Sequence, residues 1–250
     1  MNMKNDAWIQ PIRTEGERLR LFCFPYAGGD PYIFRKWSRW LPEYIGLHAV
    51  HLPGRGVRIQ SAPVDKLDPI VNAVVEALQP MQDKPFAFFG HSMGALLAFE
   101  TARALRRQKF CGPCLLFASA CKPPPMLGQH EKFSDLSDEA FIQRINDLGG
   151  TPPEVLENKE LRALLLPMLR ADFAVIDTYK YELAAPLACP ITVISGTQDE
   201  DACGPIMAGW NQETAQKLLF HEIQGGHFFI HTAETELQRI IVNGLQTVSF

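Results

Sequence analysis

No stretch of this 250-residue sequence approaches the roughly 20 consecutive apolar residues that span a bilayer, so a membrane-spanning helix is not expected. Basic charge is not in excess. The 24 Lys and Arg against 28 Asp and Glu leave a formal −4, which argues against a domain that grips nucleic acid through its phosphates. Met1 to Thr14 is polar and lacks the apolar core of a secretory signal, so a cytoplasmic protein is expected. Cysteine is sparse: Cys23, Cys111, Cys114, Cys121, Cys189 and Cys203 are scattered along the chain and read as reduced thiols. Cys111-Gly-Pro-Cys114 has CxxC form, but no second CxxC or His pair completes a zinc site. A redox pair would open a helix after a strand, whereas this one precedes an apolar run. There is no GxGxxG and no P-loop lysine, so neither dinucleotide nor nucleotide phosphate binding is supported. Internal repeats and low-complexity tracts are also missing.

What is present is ordinary for a globular domain with a well-filled core: 46% apolar and 21% charged residues. Short, mostly apolar runs at Arg20 to Phe24, Leu47 to Leu52, Phe86 to Phe89, Cys114 to Ala118, Ile191 to Ser195 and Leu218 to Ile223 read as strands buried on both faces. Helical patterns at Tyr32 to Leu41, Asp68 to Leu78, Met93 to Gln108, Gly204 to Asn211 and about Ala233 to Leu245 alternate with them. This alternation predicts an α/β fold, a mostly parallel sheet with helices on both faces.

Residues 122–186 break the rhythm, with helical pattern and prolines but no convincing strand. Phe141, Ile142, Ile145 and Leu148 share a helical spacing between an N-cap at Ser137 and a stop at Gly149. Leu161, Leu164, Leu165, Met168 and Leu169 repeat it, with Pro167 placed to kink or split the helix. An insertion of this kind commonly forms a lid over a site. Phe141, Leu164 and Met168 are candidates either to line a chamber beneath it or only to pack it.

Gly90-His91-Ser92-Met93-Gly94 carries the chemistry. It is a GxSxG that follows a strand and opens a helix, the context in which this pentapeptide forms a nucleophile elbow. The turn exposes the Ser92 hydroxyl, and the Met93 N–H at the helix start can donate to an oxyanion. A serine hydroxyl needs a base, and the hydrolase order is Ser, then acid, then His. Of His130, His221, His227 and His231, which follow Ser92, His227 sits in the Gly225-Gly226-His227 loop after the last strand and is the expected base. Asp199, three residues past Gly196 at the end of the preceding strand, is the expected orienting acid; Glu200 and Asp201 read as loop charges. The second oxyanion donor is expected from Ala27 in Tyr26-Ala27-Gly28-Gly29. The triad is therefore Ser92, Asp199 and His227, and the oxyanion hole the N–H groups of Ala27 and Met93.

These segments, together with Leu52-Pro53-Gly54-Arg55-Gly56, Leu116-Phe117-Ala118-Ser119, Leu169-Arg170-Ala171-Asp172-Phe173, Thr178-Tyr179 and Gly225-Gly226-His227-Phe228-Phe229, make the sequence resemble the type II (editing) thioesterases of nonribosomal peptide and polyketide synthesis, within the α/β-hydrolase superfamily. The resemblance covers roughly residues 18 to 248. It implies an α/β-hydrolase fold with a helical lid at about 122–186, and hydrolysis of misloaded or stalled acyl groups from the phosphopantetheine thiol of acyl or peptidyl carrier proteins. Such an enzyme would serve antibiotic or siderophore biosynthesis. No metal and no resident cofactor are implied, because the substrate carries its own phosphopantetheine, and a monomer is the default. The same triad would serve a general carboxylesterase or a medium-chain fatty-acyl thioesterase, and a catalytically silent scaffold for carrier proteins is a more distant alternative. Two features depart from the family. Residues 1–17 form a polar extension ahead of the single domain at 18–250, and Gly56 stands where a larger polar residue is common. Arg35, Lys36 and Arg39, or Arg103, Arg106 and Arg107, are candidate docking cations for an acidic carrier.

Overall fold

The structure is a computed structural model, and it describes residues 8–128, 132–150 and 158–248. Among these residues one seven-stranded sheet is built from β1 (Ile9–Arg13), β2 (Leu19–Phe24), β3 (Ile45–Val50), β4 (Phe86–His91), β5 (Leu116–Ser119), β6 (Ile191–Gly196) and β7 (Leu218–Ile223), in the order β1-β3-β2-β4-β5-β6-β7. Strands β2 to β7 pair in parallel. β1 lies antiparallel to β3 at the edge, with a register shift between Pro11 and Arg13. The sheet thus begins inside the stretch set apart as an N-terminal extension. An edge is where a strand tolerates a proline. Arg13 anchors this strand by donating to the carbonyls of Ser38, Leu41, Pro42 and Ile45 at 2.7 to 3.0 Å.

Because strand side chains alternate, β2 feeds two cores. Phe22 and Phe24 join the layer with α1 (Leu67–Leu78) and α2 (Met93–Arg107). Leu19, Leu21 and Cys23 join the opposite layer, with the 3-10 turns of Pro31–Arg39 and the C-terminal helix.

The insertion holds α3 (Asp138–Leu148) and α4 (Lys159–Asp177), with no strand among its described residues. Ser137 caps α3 by accepting from the Ala140 N–H at 3.3 Å, and Gly149 ends it in the left-handed conformation. α4 runs through Pro167 as one helix. Its apolar face, with Met168, Leu169 and Phe173, packs with Phe141 and Ile145 into a cluster of the lid's own, which outweighs the one backbone hydrogen bond that proline removes. Two last helices, α5 (Phe229–Thr232) and α6 (Glu234–Gln246), close the chain.

In the order β3-β2-β4, successive strands are laid down on one side of β2 and then, from β4 onward, on the other, while all stay parallel. In open parallel sheets the crevice at the carboxyl ends of such strands is where ligands bind. The loops carrying Ala27 and Ser92 leave the sheet at that point.

Candidate active site

Ser92 joins β4 to α2 with φ 54° and ψ −121°, a conformation costly for a residue with a side chain. Its neighbouring glycines explain how the turn closes. A Cβ at Gly90 would lie 2.2 Å from the Gly94 carbonyl oxygen, and one at Gly94 would lie 2.1 Å from that of Phe24. Strand, helix and the end of β2 therefore meet backbone to backbone at the elbow.

The three expected catalytic side chains come together. Ser92 Oγ lies 2.9 Å from His227 Nε2, and His227 Nδ1 lies 2.8 Å from Asp199 Oδ2. A carboxylate only accepts, so Nδ1 carries the proton and Nε2 is free to take that of Ser92. The other Asp199 oxygen accepts from the N–H groups of Asp201 and Ala202 at 3.0 and 3.1 Å. Burial pushes the Asp199 carboxyl upward, but the hydrogen bond and charge of His227 and those two N–H groups outweigh it and hold the pKa below the usual value. The acid turn and the histidine loop are stitched together by Gln198 N–H donating to the Gly225 carbonyl at 2.8 Å.

Of the other histidines, His221 lies in β7 and His231 in α5, while His130 lies outside the described residues. His231 Nε2 and the Tyr26 hydroxyl share a hydrogen bond at 2.7 Å; burial pushes that phenol up to about 12, so it keeps its proton. His91 is a functional residue that sequence order hides, because the hydrolase order places the base after the serine. It is fully buried, its Nε2–H donates to the His227 carbonyl at 2.9 Å, and Nδ1 accepts from the Ser119 hydroxyl at 2.9 Å. Burial, then the nearby His227, holds its pKa well below the ordinary histidine value, so it is a neutral strut under the catalytic loop.

A cavity of about 540 Å³ opens from Ser92 and His227. The sheet side contributes Met93, Leu96 and Cys121, and the insertion contributes Met126, Leu127, Phe133, Leu136, Leu148, Phe173 and Ile176. The insertion therefore covers the nucleophile. Phe141 and Met168 pack the lid's own cluster, and Leu164 is exposed. Lys122 and Asp201 pair at 3.1 Å on the cavity wall. Ala27 packs against both the lid cluster and the core beneath α2. Its N–H finds no acceptor among the described residues. The Met93 N–H is one of the first-turn donors that a helix leaves without an internal partner.

Cys111 is exposed and Cys114 half-buried, both free. Burial pushes the Cys114 thiol up to about 11. Arg35, Lys36 and Arg39 are exposed. Arg103 is instead buried, donating to Glu100 at 2.6 Å and to the Glu182 carbonyl, and Arg106 donates to the Pro186 carbonyl at 2.7 Å.

Residues 19–243 match the thioesterase domain family. The chain is 40% identical over 242 residues to the linear gramicidin dehydrogenase LgrE of Brevibacillus parabrevis, covering 96% of this chain and 92% of that protein. RedJ, a thioesterase from the prodiginine biosynthetic pathway in Streptomyces coelicolor, superposes with a TM-score of 0.86 at 35% identity, over 91% of this chain and 86% of its own. YbtT, a type II thioesterase from the yersiniabactin NRPS/PKS biosynthetic pathway, superposes with a TM-score of 0.84 at 30% identity, over 97% of this chain and 100% of its own.

Proposed function

The chain belongs to the thioesterase domain family, and from that premise we propose that it is a type II editing thioesterase of nonribosomal peptide or polyketide synthesis. Its substrates are acyl groups on the phosphopantetheine thiol of carrier proteins. The observation that carries this reading is a Ser92-His227-Asp199 relay, in hydrogen-bond reach throughout, that opens into a lidded cavity lined mostly by apolar side chains, with Lys122, Gln143, Arg144, Asp147 and Asp201 also on its wall.

His227 takes the Ser92 proton as the hydroxyl attacks the thioester carbonyl. The oxyanion forms against the N–H groups of Ala27 and Met93, each contributing about 3 kcal/mol to the lowering of the barrier. The pantetheine thiol leaves with a proton from His227, which then activates a water molecule to free Ser92. Asp199 holds the tautomer and stabilises the imidazolium formed at each attack. None of these steps calls for a resident cofactor.

The gramicidin relative is called a dehydrogenase, but this chain lacks the glycine fingerprint of a dinucleotide site, and its first strand ends in Tyr26-Ala27-Gly28-Gly29. That same loop differs from the HGGG type found in many carboxylesterases and lipases. An acidic carrier protein docks, on this reading, against the exposed Arg35, Lys36 and Arg39 rather than the helix that buries Arg103. Six unpaired thiols suit a reducing cytoplasm, and a monomer suffices because the whole triad comes from one chain. Among the described residues no helix is long and apolar enough to cross a membrane.

The test compares matched acyl groups on a holo carrier protein, on free pantetheine and on p-nitrophenol, for the wild type and Ser92→Ala. The expected result is a kcat/KM for the carrier thioester at least about tenfold above that for the oxygen ester, lost in the variant. Equal turnover of the oxygen ester, with no gain from the carrier, makes the protein a general esterase.

A further inference from the structure

A buried ion pair between the lid and the loop after β3 has no part in the relay described above. Asp172, on α4, is 1% exposed and Arg55 is 4% exposed. The guanidinium grips the carboxylate with both ends, Nη2 to Oδ1 at 2.6 Å and Nη1 to Oδ2 at 2.7 Å. Arg55 also reaches the Gly29 carbonyl at 3.2 Å. The remaining capacity of Asp172 Oδ2 is used by the Gly28 N–H, at 2.7 Å.

Gly28 is a telling partner. Tyr26 to Gly29 form a tight turn closed by Gly29 N–H donating to the Tyr26 carbonyl at 2.8 Å. Gly28 occupies its third position with φ +81°, the value of a type II turn. In such a turn the central peptide, here Ala27–Gly28, has two orientations that differ by a flip. An acceptor placed at its N–H selects one of them. That peptide directly follows the Ala27 N–H proposed for the oxyanion, so its orientation sets the backbone on one side of the donor. α4 rests on the same turn. A Cβ at Gly28 would lie 2.7 Å from Leu169 Cδ2, three residues before Asp172 and on the same helix face.

Stability alone does not explain the pair. Burying two charges is costly before their attraction returns it, and well-packed apolar residues often serve as well or better. An apolar pair cannot, however, accept the Gly28 N–H. Arg55 adds a second service, since a bare carboxylate this close to the turn would oppose the negative charge that develops on the substrate oxygen.

We infer that Asp172, clamped and neutralised by Arg55, is a positioning residue that fixes the Ala27–Gly28 peptide and thereby the oxyanion hole. This rests on the proposed acyl-transfer reading but not on the choice of acyl carrier, because attack on any ester by Ser92 uses the same hole.

Two double variants separate positioning from packing. Arg55→Met with Asp172→Leu removes both charges and the acceptor. Arg55→Met with Asp172→Asn removes both charges but leaves an amide oxygen for Gly28. Melting curves establish that each is folded, and fluorophosphonate titration counts active sites. The leucine variant should lose about tenfold or more in kcat with KM within about threefold, on thioester and oxygen ester alike. Its affinity for a trifluoromethyl ketone, which forms an oxyanion on Ser92, should fall in step, while affinity for the matching thioether, which has no carbonyl, should hold. The asparagine variant should recover most of the loss. A leucine variant within about twofold of wild-type kcat, or an asparagine variant no faster than it, overturns the inference. Failure of the thioesterase reading would show instead in the wild type, as no preference for thioester over oxygen ester.

Discussion

Replacing Asp199 by Asn changes one atom of the relay and should nearly silence it. In the native protein Oδ1 accepts two backbone N–H groups, from Asp201 and Ala202, while Oδ2 faces His227 Nδ1 at 2.8 Å. Two fixed donors will hold the amide oxygen of an asparagine where Oδ1 now sits. Its NH2 group is then turned to His227, and Nδ1 must accept rather than donate. The proton moves to Nε2, which points at Ser92 Oγ at 2.9 Å and can no longer take the hydroxyl proton. A wrong tautomer of this kind costs on the order of a thousand- to ten-thousandfold in kcat, or about 4 to 5.5 kcal/mol at 1.36 kcal/mol per decade. The assay is release of free thiol from an acyl-pantetheine, followed colorimetrically, with the exposed neighbour Glu200→Gln as a control expected within about twofold of wild type. Asn at position 199 with kcat within about tenfold of the native enzyme would refute the assignment of this carboxylate as the orienting acid.

Three further outcomes follow from the packing. Gly94→Ala forces a Cβ onto the Phe24 carbonyl, so it should cost about 2 to 3 kcal/mol and lower Tm by about 5 to 10 °C in a calorimetric scan; an unchanged Tm would mean that the β2 loop does not press on the elbow. Below about pH 6.5 the unfolded chain binds a proton at His91 that the folded chain refuses, so stability should fall with pH by up to about 1.4 kcal/mol per unit from this group alone. His48 and His231, also held low chiefly by burial, act in the same direction. Denaturant titrations between about pH 7 and 5 should give a shallower slope for His91→Gln, and an identical slope would count against a neutral buried His91. Ile176→Trp, in the cavity wall, should lower kcat/KM for a long acyl thioester about tenfold while sparing an acetyl group; a long acyl thioester hydrolysed as fast as by the native enzyme would mean that the chain does not run past Ile176.

The parts of this protein written in local pattern were legible in its sequence. β4, the elbow and α2 announce themselves because the glycines of a GxSxG are dictated within five residues, by backbones that touch. The acid and the base followed from their places after β6 and β7. β1 is not legible in the sequence because Ile9 to Arg13 is short, contains Pro11 and gains its stability from the Arg13 contacts and the neighbouring β3. The Arg55–Asp172 pair is illegible for another reason. Its members stand 117 residues apart, and although both fall in motif segments, nothing local says that one grips the other. His91 lay in plain view inside the elbow motif, but its bond to the His227 carbonyl exists only once β4 and the last loop have been brought together.

The lid's separate hydrophobic cluster has a consequence for how such an enzyme diversifies. Phe141, Ile145, Met168, Leu169 and Phe173 hold the lid helices mainly to each other, so the insertion can be re-carved from within while the sheet that carries the relay keeps its own two cores. The range of acyl groups admitted and the speed at which they are cut are then separately adjustable traits. That independence ends in the C-terminal half of α4, where Val175 packs in the core beneath α2 and Asp172 grips Gly28. A lid that drifts far enough to lose its grip on Gly28 changes the rate along with the repertoire, and lineages that rebuild the cavity would be held to the ones that leave this turn of α4 in place.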